Sequence, residues 1–433
     1  MILSMQSRRI FSLAIPMIIS NISTPLIGMV DTAVVGHMDN AGYLAGVALG
    51  SLILTQIYWI CGFLRMSATG LSAEAKGMMD NGLAAQVWIQ TVGLGLILGL
   101  MIVLLQWPLL SAGLWLSDAN EGIQSAASEY FYIRVWSAPV ALMNMAMIGW
   151  LVGQQQHKFI MWIQIIANIL NAVLDLIFVY GLDLGVSGVA LASVFAELSI
   201  FCLSILFVFR KQLLERAAIV WRLTAMKRLL SLNADMLVRN LALQLCLAFI
   251  TYKGIALGDT IAATNAILMQ FFVLIALGLD GLAYATEALI GEAKGQKNHS
   301  SIKATVFYGL VWSSVFALIY TLIFALFGEV IVVLLTDIPS LQASANEYFI
   351  LVLLLPIVAH WCFLLDGVYI GLTNARVMRN SMLVCMLLFF FPTWFYLSVY
   401  ENWGLWISFF VFLGLRGITL GGHLYWSLGK ATS

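Results

Sequence analysis

Charge is what this 433-residue chain has least of: Asp, Glu, Lys and Arg together make up 10% of it, against 62% hydrophobic residues. A soluble globular domain is roughly a quarter charged and about half apolar. The polar residues present here could not cover a water-exposed surface, which excludes a soluble enzyme or binding domain and leaves a protein whose main solvent is lipid. The remaining charges cancel, 21 basic against 21 acidic, so no nucleic-acid partner is expected. Reactive groups are sparse as well. The five cysteines (Cys61, Cys202, Cys246, Cys362, Cys385) stand in apolar runs, odd in number and without a CxxC; they read as small buried hydrophobes. The five histidines (His37, His157, His299, His360, His423) are scattered, and HExxH, GxSxG and Walker motifs are lacking. No enzyme, no cofactor and no ATP-driven pump working from this chain alone is expected. A cleavable leader is not expected either. Arg8 and Arg9 precede an apolar run from Ile10 to Val35 that is too long and has no clear small-residue cleavage site; it reads as a first spanning helix.

Long apolar runs are abundant. A spanning helix takes about 20 mostly apolar residues, and in lipid the backbone must satisfy its own hydrogen bonds, which favours helices. Twelve such segments can be drawn, near 10–36, 43–64, 83–107, 128–150, 158–181, 186–209, 229–254, 260–282, 302–327, 346–371, 379–400 and 403–427. The expected fold class is an all-α integral membrane protein with twelve transmembrane helices. With the N-terminus in the cytoplasm, the inner segments hold Arg8, Arg9, Arg65, Lys76, Lys158, Arg210, Lys211, Arg216, Arg222, Lys227, Arg228, Lys294, Lys297, Lys303, Arg376, Arg379 and Lys430. The outer loops hold Lys253 alone, beside Asp39, Asp118, Glu121, Asp183, Asp259, Glu329, Asp337 and Glu401. That asymmetry puts both termini inside.

The chain repeats itself at an offset of 218 residues. Glu74-Ala75-Lys76-Gly77 recurs as Glu292-Ala293-Lys294-Gly295, Glu129-Tyr130-Phe131 as Glu347-Tyr348-Phe349, Gly149 and Gly153 as Gly367 and Gly371, and Gly36 as Gly254. A six-helix unit begins and ends on the same side, so the second copy runs in the same sense as the first, with a pseudo-two-fold axis along the membrane normal. The expected organisation is an N-lobe over 1–209, a cytoplasmic linker over 210–228 and a C-lobe over 229–433, two pseudo-symmetric six-helix bundles. Such halves rock around a central cavity in transporters; a duplicated scaffold is the blander use.

Ionisable groups inside the bilayer are costly and therefore informative. Asp31 and Asp175 lie toward the outer ends of helices 1 and 5. Gln164, Asn168, Asn171 and Asp175 fall at spacings of four, three and four, and Ser20, Thr24, Gly28 and Asp31 form a comparable stripe. Ser193 on helix 6 adds an oxygen. A carboxyl withdrawn from water beside a second one can exchange a proton, and an Asp/Asn/Ser cluster serves H⁺ or Na⁺ alike; interhelical glue without titration is the alternative. Pro16, fifteen residues before Asp31, favours a kink, either a hinge or a static bend. In the second half, position 249, opposite Asp31 in the repeat, is Phe. Arg239 with Asp280 or Asp366 forms an inner gate or a permanent salt bridge, and Asp235 stands four residues from Arg239. The 19 Met and the many aromatics line a cavity or face lipid and core.

These segments resemble the multidrug and toxic compound extrusion (MATE) family, specifically its DinF (DNA-damage-inducible protein F) subgroup. The resemblance is carried by Pro16 with Val30-Asp31-Thr32, by Arg65-Met66-Ser67-Ala68-Thr69-Gly70-Leu71, and by the run from Asn168 through Asn171 to Asp175. In the second half it is carried by Leu279-Asp280-Gly281-Leu282-Ala283-Tyr284-Ala285, Leu365-Asp366-Gly367 and Met378-Arg379-Asn380-Ser381. The resemblance implies the MATE fold and secondary efflux: a monomeric antiporter in a bacterial inner membrane that exchanges H⁺, or Na⁺ in other subgroups, for cationic or amphipathic drugs. It implies cation coupling at Asp31, Asn171, Asp175 and Ser193 and a hinge at Pro16, beside the cavity that the two polar stripes suggest, lined by Thr24, Gln164 and Asn168. No C-lobe ion site is carried over. The alternative within the same superfamily is a lipid or oligosaccharide-lipid flippase, whose anionic substrates require a cationic cavity; Asp31 and Asp175 argue against it.

Overall fold

The computed structural model describes residues 5–36, 41–117, 119–210 and 223–430. His37, Asp39, Asp118, Lys211, Arg216, Arg222 and most of the expected linker lie outside them. By internal packing the chain forms two compact units, Ile19–Leu230 and Met1–Ile18 with Ser231–Ser433.

The first unit contains α1 (Met5–Gly36) from Ile19 onward, α2 (Ala41–Ile60), α3 (Phe63–Gly77), α4 (Asn81–Leu104), α5 (Gln106–Ser117), α6 (Glu121–Arg134), α7 (Ala138–Gly153), α8 (His157–Leu176) and α9 (Gly185–Arg210). A 3₁₀ turn at Val135–Ser137 joins α6 to α7, and a π-turn at Ile177–Gly181 prolongs α8. The second unit holds the start of α1 and, from Ser231 onward, α10 (Leu223–Ala256). It continues through α11 (Asp259–Gly295), α12 (His299–Leu335), α13 (Pro339–Glu347), α14 (Phe349–Gly371), α15 (Ala375–Val384), α16 (Phe391–Leu397) and α17 (Glu401–Lys430). Its core is aromatic, built on Phe271, Phe324, Phe390, Trp406, Phe409 and Phe412.

Ten stretches of the described residues are long and apolar enough to cross a membrane. The longest, Ala375–Leu428, is a hairpin. Its chain turns at Glu401 with φ 49°, and Gly404 approaches so closely that a Cβ there would lie 2.1 Å from the Leu397 carbonyl oxygen. Its two arms, together with the 32-residue α1, bring the crossings to the expected twelve. The helices differ from the expected spans chiefly in length. The second spanning helix continues through α3 to Gly77, and α11 runs on to Gly295, well past 282. Hydropathy ends where charge begins, whereas helical hydrogen bonding carries on into the polar layer.

The backbone repeats at the same offset as the sequence. Left-handed residues come in pairs 218 positions apart: Met79 and Lys297, Gln155 and Thr373, Asp183 and Glu401. Asp80 accepts from the Leu83 N–H at 2.8 Å and Asn298 from the Ser301 N–H at 2.9 Å, the same helix cap built twice. The repeated glycines mark matching close approaches. A Cβ on Gly149 or Gly153 would lie 2.3 or 2.6 Å from the carbonyl oxygens of Arg65 and Thr69. On Gly367 or Gly371 it would lie 2.8 or 2.7 Å from those of Ala283 and Glu287. Small residues spaced four apart let helix backbones meet where lipid provides no hydrophobic drive.

Gly153→Ala and Gly371→Ala are therefore predicted to lower stability by about 1–3 kcal/mol, read as a fall in the detergent melting temperature. Gly422→Ala, where a Cβ would meet nothing within 4 Å, should be neutral or stabilising. Three equal melting temperatures would show that the close approach is not required.

Candidate functional site

In the first unit, α8 presents its polar stripe to α1. The Asn168 amide donates Nδ2 to Ser23 Oγ at 2.9 Å, and the Ser23 hydroxyl donates to the Ser20 carbonyl at 2.7 Å. Farther along, the Tyr180 hydroxyl donates to the Val34 carbonyl at 3.1 Å. Tyr180 sits in the π-turn, whose extra residue rotates the end of α8 relative to a regular helix. The two anchors lie at both ends of a parallel contact between α1 and α8, from Ser23 to Val34 on one helix and from Asn168 to Tyr180 on the other. Between them come Asn171, 4% exposed, and Asp175, 0% exposed. Asp31 stands three residues before Val34 and Asp175 five before Tyr180, which sets them within about one helical turn, ~5 Å, of the same level. The side chains of Asp31 and Thr24 lie outside the described residues. Gln164 is half-buried one turn before Asn168, and Ser193 is half-buried on α9, the helix that packs antiparallel to α8. Pro16 is buried within an α1 that stays helical from Met5 to Gly36, and the boundary between the two units falls two residues beyond it.

A second polar group in this unit escaped the sequence reading. Arg134 on α6 lies 3.3 Å from Glu197 on α9, and Asn144 on α7 donates at 2.8 Å both to the Glu197 carboxylate and to its backbone carbonyl. Glu197 is one turn from Ser193 on the same face of α9. The signal was available, since an Arg and a Glu each interrupt an apolar span, but sequence does not show which bundle-facing charges meet.

The second unit carries the opposite sign on α10, the leading helix of the second repeat. Arg239 of α10 and Arg416 of α17 both donate to Asp366 Oδ2 of α14, Arg416 at 2.6 Å. All three are buried, 7%, 4% and 9% exposed respectively. Arg239 also donates to Asn240 Oδ1 at 2.9 Å. The Arg239–Asp366 pairing was one of those expected from sequence; Arg416 was not anticipated. Asp235 accepts from Arg379 of α15, so the helical spacing of Asp235 and Arg239 is not its whole story. Two guanidinium groups on one carboxylate oxygen make a charge-assisted bridge joining three helices. Among the described residues no cluster of three or more His, Cys, Asp or Glu side chains is arranged to hold a metal.

The MatE family model matches residues 16–177 and again 236–395. The chain is 40% identical over 424 residues to the DNA damage-inducible protein F of Escherichia coli K12, covering 96% of this chain and 92% of that protein. It is 22% identical over 438 residues to the probable multidrug resistance protein NorM of Acinetobacter baylyi, covering 96% and 95%. An outward-facing multidrug resistance MATE family transporter of the MOP superfamily superposes with a TM-score of 0.90 at 20% identity, covering 99% of this chain and 97% of that one; at that identity the likeness shows the fold.

Asp366→Asn would leave two buried guanidinium groups without their counter-charge. The prediction is a loss of about 3–5 kcal/mol, measured by denaturation in detergent. Replacing all three groups together (Arg239→Met, Asp366→Leu, Arg416→Met) should lose much less. Equal losses would show that the cost does not come from leaving the two arginines without their carboxylate.

Proposed function

The chain belongs to the MatE family, and on that premise we propose that it is a secondary multidrug efflux antiporter of the bacterial inner membrane. It exchanges external H⁺ for cationic or amphipathic drugs by alternating access, as a monomer with both termini in the cytoplasm. The observation that carries this reading is the polar seam between α1 and α8, with Asp175 fully buried and Asn168 bonded to Ser23.

In this reading Asp31 is the proton carrier. Asp175 with Asn171 forms its partner network, with Ser193 contributing an oxygen from α9, while Thr24, Gln164 and Asn168 line the adjoining cavity. An ionised carboxylate attracts a cationic drug, whereas a protonated one is neutral and a hydrogen-bond donor. Proton and drug therefore compete for one group, and competition for a single group is what produces exchange rather than co-transport. Protonation also changes the bonding required of α1, and Pro16, which lacks a backbone donor, gives that helix a place to bend. Each proton moving down the membrane potential supplies about 2.3 kcal/mol per 100 mV.

One observation favours a second reading. The two arginines on Asp366 suit an anionic headgroup, as a lipid or oligosaccharide-lipid flippase would require. The test is ethidium transport in proteoliposomes under a pH gradient and then a Na⁺ gradient, for wild type and Asp31→Asn. The prediction is that the proton gradient alone drives the wild type, while the variant inserts normally and falls to background. Drive by Na⁺ alone would make the α1–α8 oxygens a sodium site. No drug movement under either gradient would favour the flippase.

A further inference from the structure

The repeated Glu-Ala-Lys-Gly motif performs the same two tasks in each unit. Lys76 donates Nζ to the Gln154 carbonyl at 2.9 Å, at the end of α7, and Lys294 donates to Thr373 Oγ1, just past the end of α14. The glutamates hold arginines. Glu74 Oε2 accepts from Arg228 at 2.7 Å, and Glu292 Oε2 accepts from Arg9 at 2.5 Å. In both pairs the carboxylate is the more enclosed partner, its side chain 9% or 16% exposed against 52% or 41% for the arginine.

The arginines lie at the starts of α10 and α1, the leading helices of the second and first repeats. These are the two helices that change unit: α1 between Ile18 and Ile19, α10 between Leu230 and Ser231. Each leading helix thus begins in the unit that contains the other repeat's motif and is held there by that motif's glutamate. The start of α1 has further anchors in its unit. Gln6 donates to Thr305 Oγ1 at 2.5 Å, Trp312 donates to Ser7 Oγ at 3.1 Å, and Phe11 meets the Trp312 ring edge-on at 4.5 Å. Just beyond both crossings lies an unsatisfied polar group. Ser20 Oγ, in a residue 0% exposed, and both amide atoms of Asn233, in a residue 4% exposed, have no hydrogen-bond partner among the described residues. Native proteins rarely leave such atoms unpaired.

We propose that Glu74 and Glu292 are positioning residues for transport. Each clasps the leading end of the helix by which the other repeat enters its own unit. Movement of either unit is absorbed where α1 and α10 cross, with the clasps keeping each helix start fixed in its unit and Ser20 and Asn233 gaining partners in the other state. The cycle itself rests on the antiport reading; the clasps do not depend on which ion or drug is moved.

The experiment is hydrogen–deuterium exchange of the full chain in lipid nanodiscs, paired with ethidium transport. Glu292→Gln should raise exchange in residues 5–18 and Glu74→Gln in 223–230, each by about fivefold, the equilibrium shift of one weak ion pair. Arg9→Gln and Arg228→Gln, which alter only the more exposed partners, should do the same and guard against misfolding at the glutamates. The charge-reversed pairs Glu292→Arg with Arg9→Glu and Glu74→Arg with Arg228→Glu should restore wild-type exchange. In proteoliposomes the single variants should lose maximal rate while KM for ethidium stays within about twofold, since the drug site is untouched. Unchanged exchange in the single variants, or reversed pairs that stay loose, would overturn the clasps. Raised exchange with a wild-type maximal rate would overturn their part in the cycle. A wild type that shows the exchange pattern but moves no ethidium would uphold the clasps and sink the antiport reading.

Discussion

Every polar group that enters the hydrocarbon layer must find its partner inside the protein, and this constraint shapes the molecule from backbone to site. It makes the crossings helical, because a helix satisfies its backbone hydrogen bonds in lipid within one segment. It also removes the hydrophobic drive that packs helices in water, so contact depends on close fit and polar bonds. The glycines at 149, 153, 367 and 371 and the three-helix bridge at Asp366 are two answers to the same demand.

Duplication gave both halves one backbone and left their charges free to diverge. The left-handed residues, helix caps and glycine contacts recur position for position. The ionisable groups do not. The first repeat places Asp31 on its leading helix, and the second places Arg239 on its own, in different registers. The last helix of the first repeat carries Glu197 in an ion pair, and that of the second carries Arg416 in another. A shared frame tolerates this where the charges pair within their own bundle, as Glu197 does with Arg134 and Asp366 with Arg239 and Arg416.

The twelve crossings were legible because hydropathy over a long window is a strong, local signal. So was the α8 stripe, since its spacing alone puts Asn168, Asn171 and Asp175 on one face. Helix ends were less legible: α3 and α11 continue into polar sequence, where hydropathy says nothing about hydrogen bonding. Arg416 and the Arg134–Glu197 pair were missed for another reason. A lone charge in an apolar run is visible in the sequence, but its partner is fifty or more residues away and on a different helix.

The sequence by itself determined the solvent, the helices, the repeat and the set of polar residues that had to be accommodated in the bilayer, because each depends on composition or on spacing along the chain. Only the tertiary structure decided which of those residues meet. It joined Asn168 to Ser23 and Arg416 to Asp366, and it assigned the first eighteen residues to the unit formed by the second repeat. Pairing of buried polar groups is settled by which helix faces come together, and that is a property of the packed bundle.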